Sequence, residues 1–135
     1  MTEHNRRENA RAEAALGDDA LRAAEALVAA GLPNDAISRA YYAAFHYARA
    51  LLLVKGLDPK SHRGVLALLS QHWEHAGGLS RDAVASVARL QTFRGLADYD
   101  ARARLGAERA RDELESARAF VEAARALLRR EGALT

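Results

Sequence analysis

Apolar residues recur along this chain at intervals of three and four, and no stretch alternates as a strand would. Leu16, Ala20, Ala23, Ala24, Leu27 and Val28 share one face of a first helix, predicted over residues 5–30. Gly17 interrupts it and marks a place for a kink or a split, since glycine costs ~1 kcal/mol against alanine inside a helix. Gly31 reads as its C-terminal stop. Asn34 reads as the N-cap of a second helix reaching about Val54, with Asp35 in its first turn and Ile37, Ala40, Tyr41, Ala44, Ala48, Leu51 and Leu52 on a broad apolar face. Gly56, Asp58 and Pro59 then mark a loop. Ser61 caps a third helix that carries Val65, Leu66, Leu68, Leu69 and Trp73 and stops at Gly77-Gly78. Ser80 caps a fourth, with Asp82 in its first turn. The last helix, predicted over residues 107–130, places Ala110, Leu114, Ala117, Val121, Ala124 and Leu128 in a seam suited to a facing helix.

Short connections between such helices favour antiparallel neighbours, so the expected fold is all-α: an up-and-down bundle of four to five antiparallel helices. The 135 residues suit one domain, 1–135. The absence of cysteine excludes disulfides and thiolate metal sites. The polar first eleven residues hold no apolar signal core, and no apolar run approaches the ~20 residues of a membrane span. The expectation is a cytoplasmic protein with no membrane association. Net charge is +2, and the ten Lys or Arg against six acids in residues 31–105 place the positive excess in the middle of the chain, a lean toward anionic partners. Many core positions are alanine, which buries little area, so a narrow bundle leaves apolar surface for a second copy to cover.

Arg94 is the residue most in need of explanation. Ala83, Val87, Leu90, Arg94 and Ala97 follow one line along the fourth helix, so a guanidinium lies in an apolar row. It reads either as a partner for Asp98, one turn on, or as a phosphate-binding group at a groove or subunit interface. On the second helix Arg39, Tyr42, His46 and Arg49 form a polar stripe beside the apolar face. It reads as a partly buried hydrogen-bond network or as the wall of a nucleotide or RNA groove, with Tyr41 in the core. His62, beside Arg63 at the start of the third helix, reads as loop packing or as part of an anion site. His72 and His75 have no third ligand in sight, so no metal is expected; Trp73 reads as a packing or interface anchor. No phosphate loop or nucleophile elbow is present, and no cofactor is expected. Arg109, Glu113, Arg118 and Glu122 read as i,i+4 pairs on a solvated face.

The block Ser38-Arg39-Ala40-Tyr41-Tyr42-Ala43-Ala44-Phe45-His46, followed by Lys60-Ser61-His62-Arg63-Gly64 and then by Arg94-Gly95-Leu96-Ala97-Asp98-Tyr99, resembles the HEPN family of small prokaryotic helical bundles, often encoded beside a minimal nucleotidyltransferase. The likeness covers about residues 8–128 and is closest to a subgroup with Ser-Arg-Ala-Tyr-Tyr-Ala and Ala-Asp-Tyr elements. HEPN ribonucleases carry an arginine, four to six residues, then a histidine, and two copies of that motif meet across a dimer. Arg94 matches the arginine. Tyr99, Asp100 and Ala101 occupy the histidine's positions, and Gly95 replaces the usual polar residue. A tyrosine with a pKa near 10 is a poor base at neutral pH, which leaves His46 as the stand-in, on condition that it faces Arg94.

The resemblance therefore implies a homodimeric binding module for a nucleotide or RNA, partnered with a minimal nucleotidyltransferase in a toxin–antitoxin-like system. Its site would comprise Arg94, Asp98, Tyr99, Tyr42, Arg39, His46 and His62. The alternatives are a metal-independent ribonuclease toxin using Arg94 with His46 or Tyr99, and a structural partner in which Arg94 and Asp98 lock a helix end.

Overall fold

The computed structural model describes residues 2–135. Five helices and no strand make up the described residues: α1 (Glu3–Ala29), α2 (Pro33–Leu53), α3 (His62–Leu69), α4 (Arg81–Tyr99) and α5 (Ala107–Arg130). α3 continues without a break into a π-helical stretch, Ser70–His75. The all-α bundle read from the sequence is the fold observed.

α2 is the central element, with α1, α3, α4 and α5 all packed on it. Its predicted apolar face is buried throughout, and so are Ala36, Ala43, Tyr47 and Ala50 on its other sides. The alanines let neighbouring helices come close. The area comes from Tyr41, Tyr47, Leu51, Leu52, Leu69, Leu90, Phe120 and Leu128, each buried Leu or Phe contributing about 1.5–3 kcal/mol.

The caps follow from local chemistry. Ser61 and Ser80 accept from the backbone N–H of Gly64 (2.9 Å) and Ala83 (3.0 Å), as expected of N-caps. Thr2 does the same for Asn5 (3.1 Å), so α1 begins at Glu3 rather than at Asn5. α1 ends in a Schellman motif, with Leu32 N–H on the Leu27 carbonyl (2.9 Å) and Gly31 N–H on Val28 (3.2 Å). Gly31 has φ +76°, which a Cβ would strain. The chains leaving α2 and α5 turn in the same way at Gly56 and Gly132.

Three expectations are corrected. Asn34 is not the cap of α2. Pro33 starts that helix, and the Asn34 side chain instead donates to the Ala103 carbonyl (3.1 Å) and accepts from Leu105 N–H (3.1 Å), pinning the α4–α5 loop. Gly17 neither kinks nor splits α1. It is buried under the ring of Tyr47, where a Cβ would lie 2.6 Å from Cδ2. Leu16, counted in the apolar face, is half exposed, because the turn that buries Gly17 directs its neighbour outward.

The start of α1 also fastens the far end of the chain. Arg7 Nε donates to the Glu131 carbonyl and Arg11 Nε to the Ala133 carbonyl, each at 3.1 Å, satisfying acceptors at the C-terminal end of α5. Trp73, on the π-helical stretch, is buried and donates from Nε1 to the Leu51 carbonyl (2.8 Å), while Lys55 lies over its ring. It is a core anchor between α2 and the turn after α3.

Candidate functional site

Where α4 crosses α2, three aromatic rings gather around one guanidinium. Tyr41 and Tyr42 are successive residues on the central helix, so one ring enters the core while the next stands at its edge. Arg94 reaches them from α4. Its Nη2 donates to the Tyr42 hydroxyl (2.9 Å) and its Nη1 to the Tyr99 hydroxyl (3.3 Å). The guanidinium carbon lies 5.3 Å from the ring centres of Tyr41 and Tyr42 and 5.6 Å from that of Tyr99, within cation–π range. Asp98 Oδ2 faces Arg94 Nε at 3.7 Å, and Ser38 on α2 donates its hydroxyl to Asp98 Oδ1. Only 13% of the Arg94 side chain is exposed.

Burial works against the charge on Arg94, but the hydroxyl oxygens of Tyr42 and Tyr99 and the carboxylate of Asp98 outweigh it, and its pKa is raised. Burial in turn holds the Tyr41 hydroxyl well above the usual phenol range, with Arg94 opposing. That hydroxyl is hydrogen-bonded to Nδ1 of His62, whose ring stacks on Phe45 with centroids 4.4 Å apart. Burial, and then the charge of Arg94, pull His62 below the ordinary imidazole value. The cap at the start of α3 is Ser61 alone.

The predicted polar stripe on α2 divides in two. Arg39 turns toward Arg94's cluster: its guanidinium lies 4.8 Å over the Tyr42 ring, and it makes no ion pair among the described residues. His46 turns the other way. Its Nδ1 is 2.8 Å from Glu13 on α1, which also binds Arg49 (3.1 Å), and Arg49 in turn holds Asp58 (2.9 Å). The condition for His46 to serve as the stand-in, that it face Arg94, is thus not met; its nearest link is a tilted ring contact with Tyr42 at 6.3 Å. The histidine that joins the Arg94 cluster is His62, through Tyr41. The structure brings Arg94, Asp98, Tyr99, Tyr42 and Arg39 together, and adds Ser38, Tyr41 and Phe45.

Two polar clusters elsewhere escaped sequence reading. Glu113 is not on a solvated face. It is buried and bound by Arg109 (3.2 Å) and by Arg89 of α4 (3.2 Å). Arg118 and Glu122 do not pair with each other: Arg118 joins Glu25 and Glu115, and Glu122 joins Arg125. Arg125 also binds Asp18 (2.6 Å) and donates from Nε to the Tyr47 hydroxyl (3.1 Å), while that hydroxyl donates to Asp18 (2.6 Å). Among the described residues no three His, Cys, Asp or Glu side chains cluster as metal ligands would, and no helix is long and apolar enough to cross a membrane.

A strand-free bundle whose central Tyr-Tyr helix meets an arginine from a later helix defines a class of small helical domains. The chain belongs to the HEPN family: residues 15–129 match the HEPN domain. It is 37% identical over 93 residues to "Putative toxin MJ0605" of Methanocaldococcus jannaschii, covering 69% of each chain. It is 42% identical over 66 residues to "UPF0332 protein PH1297" of Pyrococcus horikoshii, covering 49% of this chain and 46% of that protein, so it spans just under half of that relative. The crystal structure of TT1696 from Thermus thermophilus superposes with a TM-score of 0.72 at 21% identity, covering 87% of this chain and 96% of that one, and shares the fold.

Proposed function

We propose that this chain is a HEPN-type, toxin-like module that binds the phosphate of a nucleotide or RNA at Arg94. The observation carrying this reading is the state of the Arg94 guanidinium. It is charged, almost enclosed, and aimed by Asp98, which Ser38 fixes in turn. Because Arg94 donates into the oxygen of Tyr42, the hydroxyl proton of Tyr42 is left for an anion. Arg39, free of any carboxylate among the described residues, supplies a second cation beside it. Charge-assisted contacts of this kind suit a phosphate. A minimal nucleotidyltransferase is the proposed protein partner. A second copy of the chain is the proposed dimer mate, for which Leu96 on α4 offers exposed apolar surface. The test is fluorescence anisotropy with a short labelled single-stranded RNA. Arg94→Ala should weaken binding at least tenfold, and equal affinity for the variant and the wild type would overturn the reading.

A ribonuclease reading would give the proton transfer to His46, which Glu13 holds by Nδ1 one helical turn from Tyr42, and would require that ring to turn from Glu13 toward Arg94. RNA cleavage lost on His46→Ala would favour it; no cleavage by the wild type in a sensitive assay would end it.

A further inference from the structure

We infer that Tyr99 is both the removable cover of Arg94 and the surface on which a nucleobase stacks, so that the ligand is a nucleotide with an unpaired base rather than a bare phosphate. This rests on the reading of Arg94 as the phosphate group and specifies what accompanies the phosphate. Arg94 is enclosed on three sides by groups that cannot leave. Tyr41 is buried, Tyr42 packs against it edge to face with centroids 5.2 Å apart, and Asp98 is tied to α2 by Ser38. The fourth side is different. Tyr99 is 78% exposed at the last residue of α4, and its single hydroxyl contact with Arg94 is long, at 3.3 Å. Of the groups on Arg94 it is the one that can turn aside without disturbing the core, and doing so frees Nη1 for a phosphate oxygen.

A tyrosine turned aside remains tethered within a residue's reach of that phosphate, with its ring already in solvent. A base joined to the phosphate through a ribose lies at a matching distance, and every base has a face that stacks on an aromatic ring. Arg39, lying over Tyr42, supplies a second planar cation at the rim. A base paired in a duplex has both faces covered by its neighbours, which selects single-stranded RNA or a free nucleotide over double-stranded RNA.

The experiment is calorimetry on the full chain with ribose 5-phosphate, adenosine 5′-monophosphate and a short oligoadenylate, each alone and, for the last, annealed to its complement. Wild type should prefer the adenine nucleotide to ribose 5-phosphate by roughly tenfold, the scale of one base stacked on an aromatic side chain, and should prefer the single strand to the duplex. Tyr99→Ala should erase the adenine preference and, by uncovering Arg94, strengthen binding of ribose 5-phosphate. Tyr99→Phe should keep the preference, since the ring remains. Circular dichroism checks that both variants are folded. If ribose 5-phosphate binds through Arg94 but adenine adds nothing, or if the preference survives Tyr99→Ala, this inference falls and the phosphate reading stands. If none of the three ligands binds, both fall.

Discussion

Replacing Gly17 with alanine tests the packing of α1 on α2. Inside an exposed helix the change would gain ~1 kcal/mol. Here the new methyl carbon would lie 2.6 and 2.8 Å from Cδ2 and Cε2 of Tyr47 and 3.2 Å from the Ala43 carbonyl oxygen. Carbon atoms in contact sit about 3.5–4.0 Å apart, so the ring must retreat by about 1 Å. It cannot retreat freely, because its hydroxyl is fixed to Asp18 at 2.6 Å and to Arg125 at 3.1 Å. Overpacking of this kind costs about 1–3 kcal/mol, and the strained hydrogen bonds add about 1. Set against the helix gain, the net loss is about 1–3 kcal/mol, a fall in Tm of roughly 4–12 °C for a domain of this size. Urea denaturation followed by circular dichroism measures it. In a Tyr47→Leu background the alanine should cost much less, because the ring it meets is gone. A Gly17→Ala protein more stable than wild type would refute the close-packing argument.

Two further outcomes are expected. Of the four tyrosines, Tyr41 and Tyr47 should ionise late in an ultraviolet titration, Tyr47 at about 12, because burial and, for Tyr47, the hydrogen bond to Asp18 raise them. The folded state then holds these protons more tightly than the unfolded one, so this contribution to stability is complete below pH ~10 and is lost as pH rises toward 12. All four tyrosines titrating together near pH 10 in the folded protein would contradict it. Glu113→Ala should destabilise the chain by about 1–2 kcal/mol in thermal or urea unfolding. That is less than a fully buried pair would lose, because Arg89 and Arg109 are nearly half exposed and can turn to water; an unchanged Tm would show that the carboxylate contributes nothing.

The apolar face of α2, the serine caps of α3 and α4 and the seam of α5 were legible because each depends on residues within a few positions of one another. The Arg94–Asp98 contact was legible for the same reason. What escaped depends on partners far apart in sequence. Glu113 carries an i,i+4 arginine, which reads as surface, and only Arg89 arriving from α4 shows it to be buried. His46 and His62 were both visible as candidates, but the packing of α1 and α3 on α2 decides which of them joins the tyrosines. Gly17 looked like a weak point in a helix; the ring that requires it lies thirty positions away on α2. Asn34 carries the right chemistry for a cap, and Pro33 took the helix start and released its amide for a loop.

The clasp between Arg7, Arg11 and the carbonyls of Glu131 and Ala133 sets the start of α1 beside the segment that follows α5. A few glycine and serine residues joining Thr135 to Thr2 should therefore close the chain into a ring, and the exposed turn between Gly77 and Gly78 offers a place to reopen it. Such a circular permutant would begin at α4 and bring Arg94 near the front of the message, with every packing contact of the bundle retained.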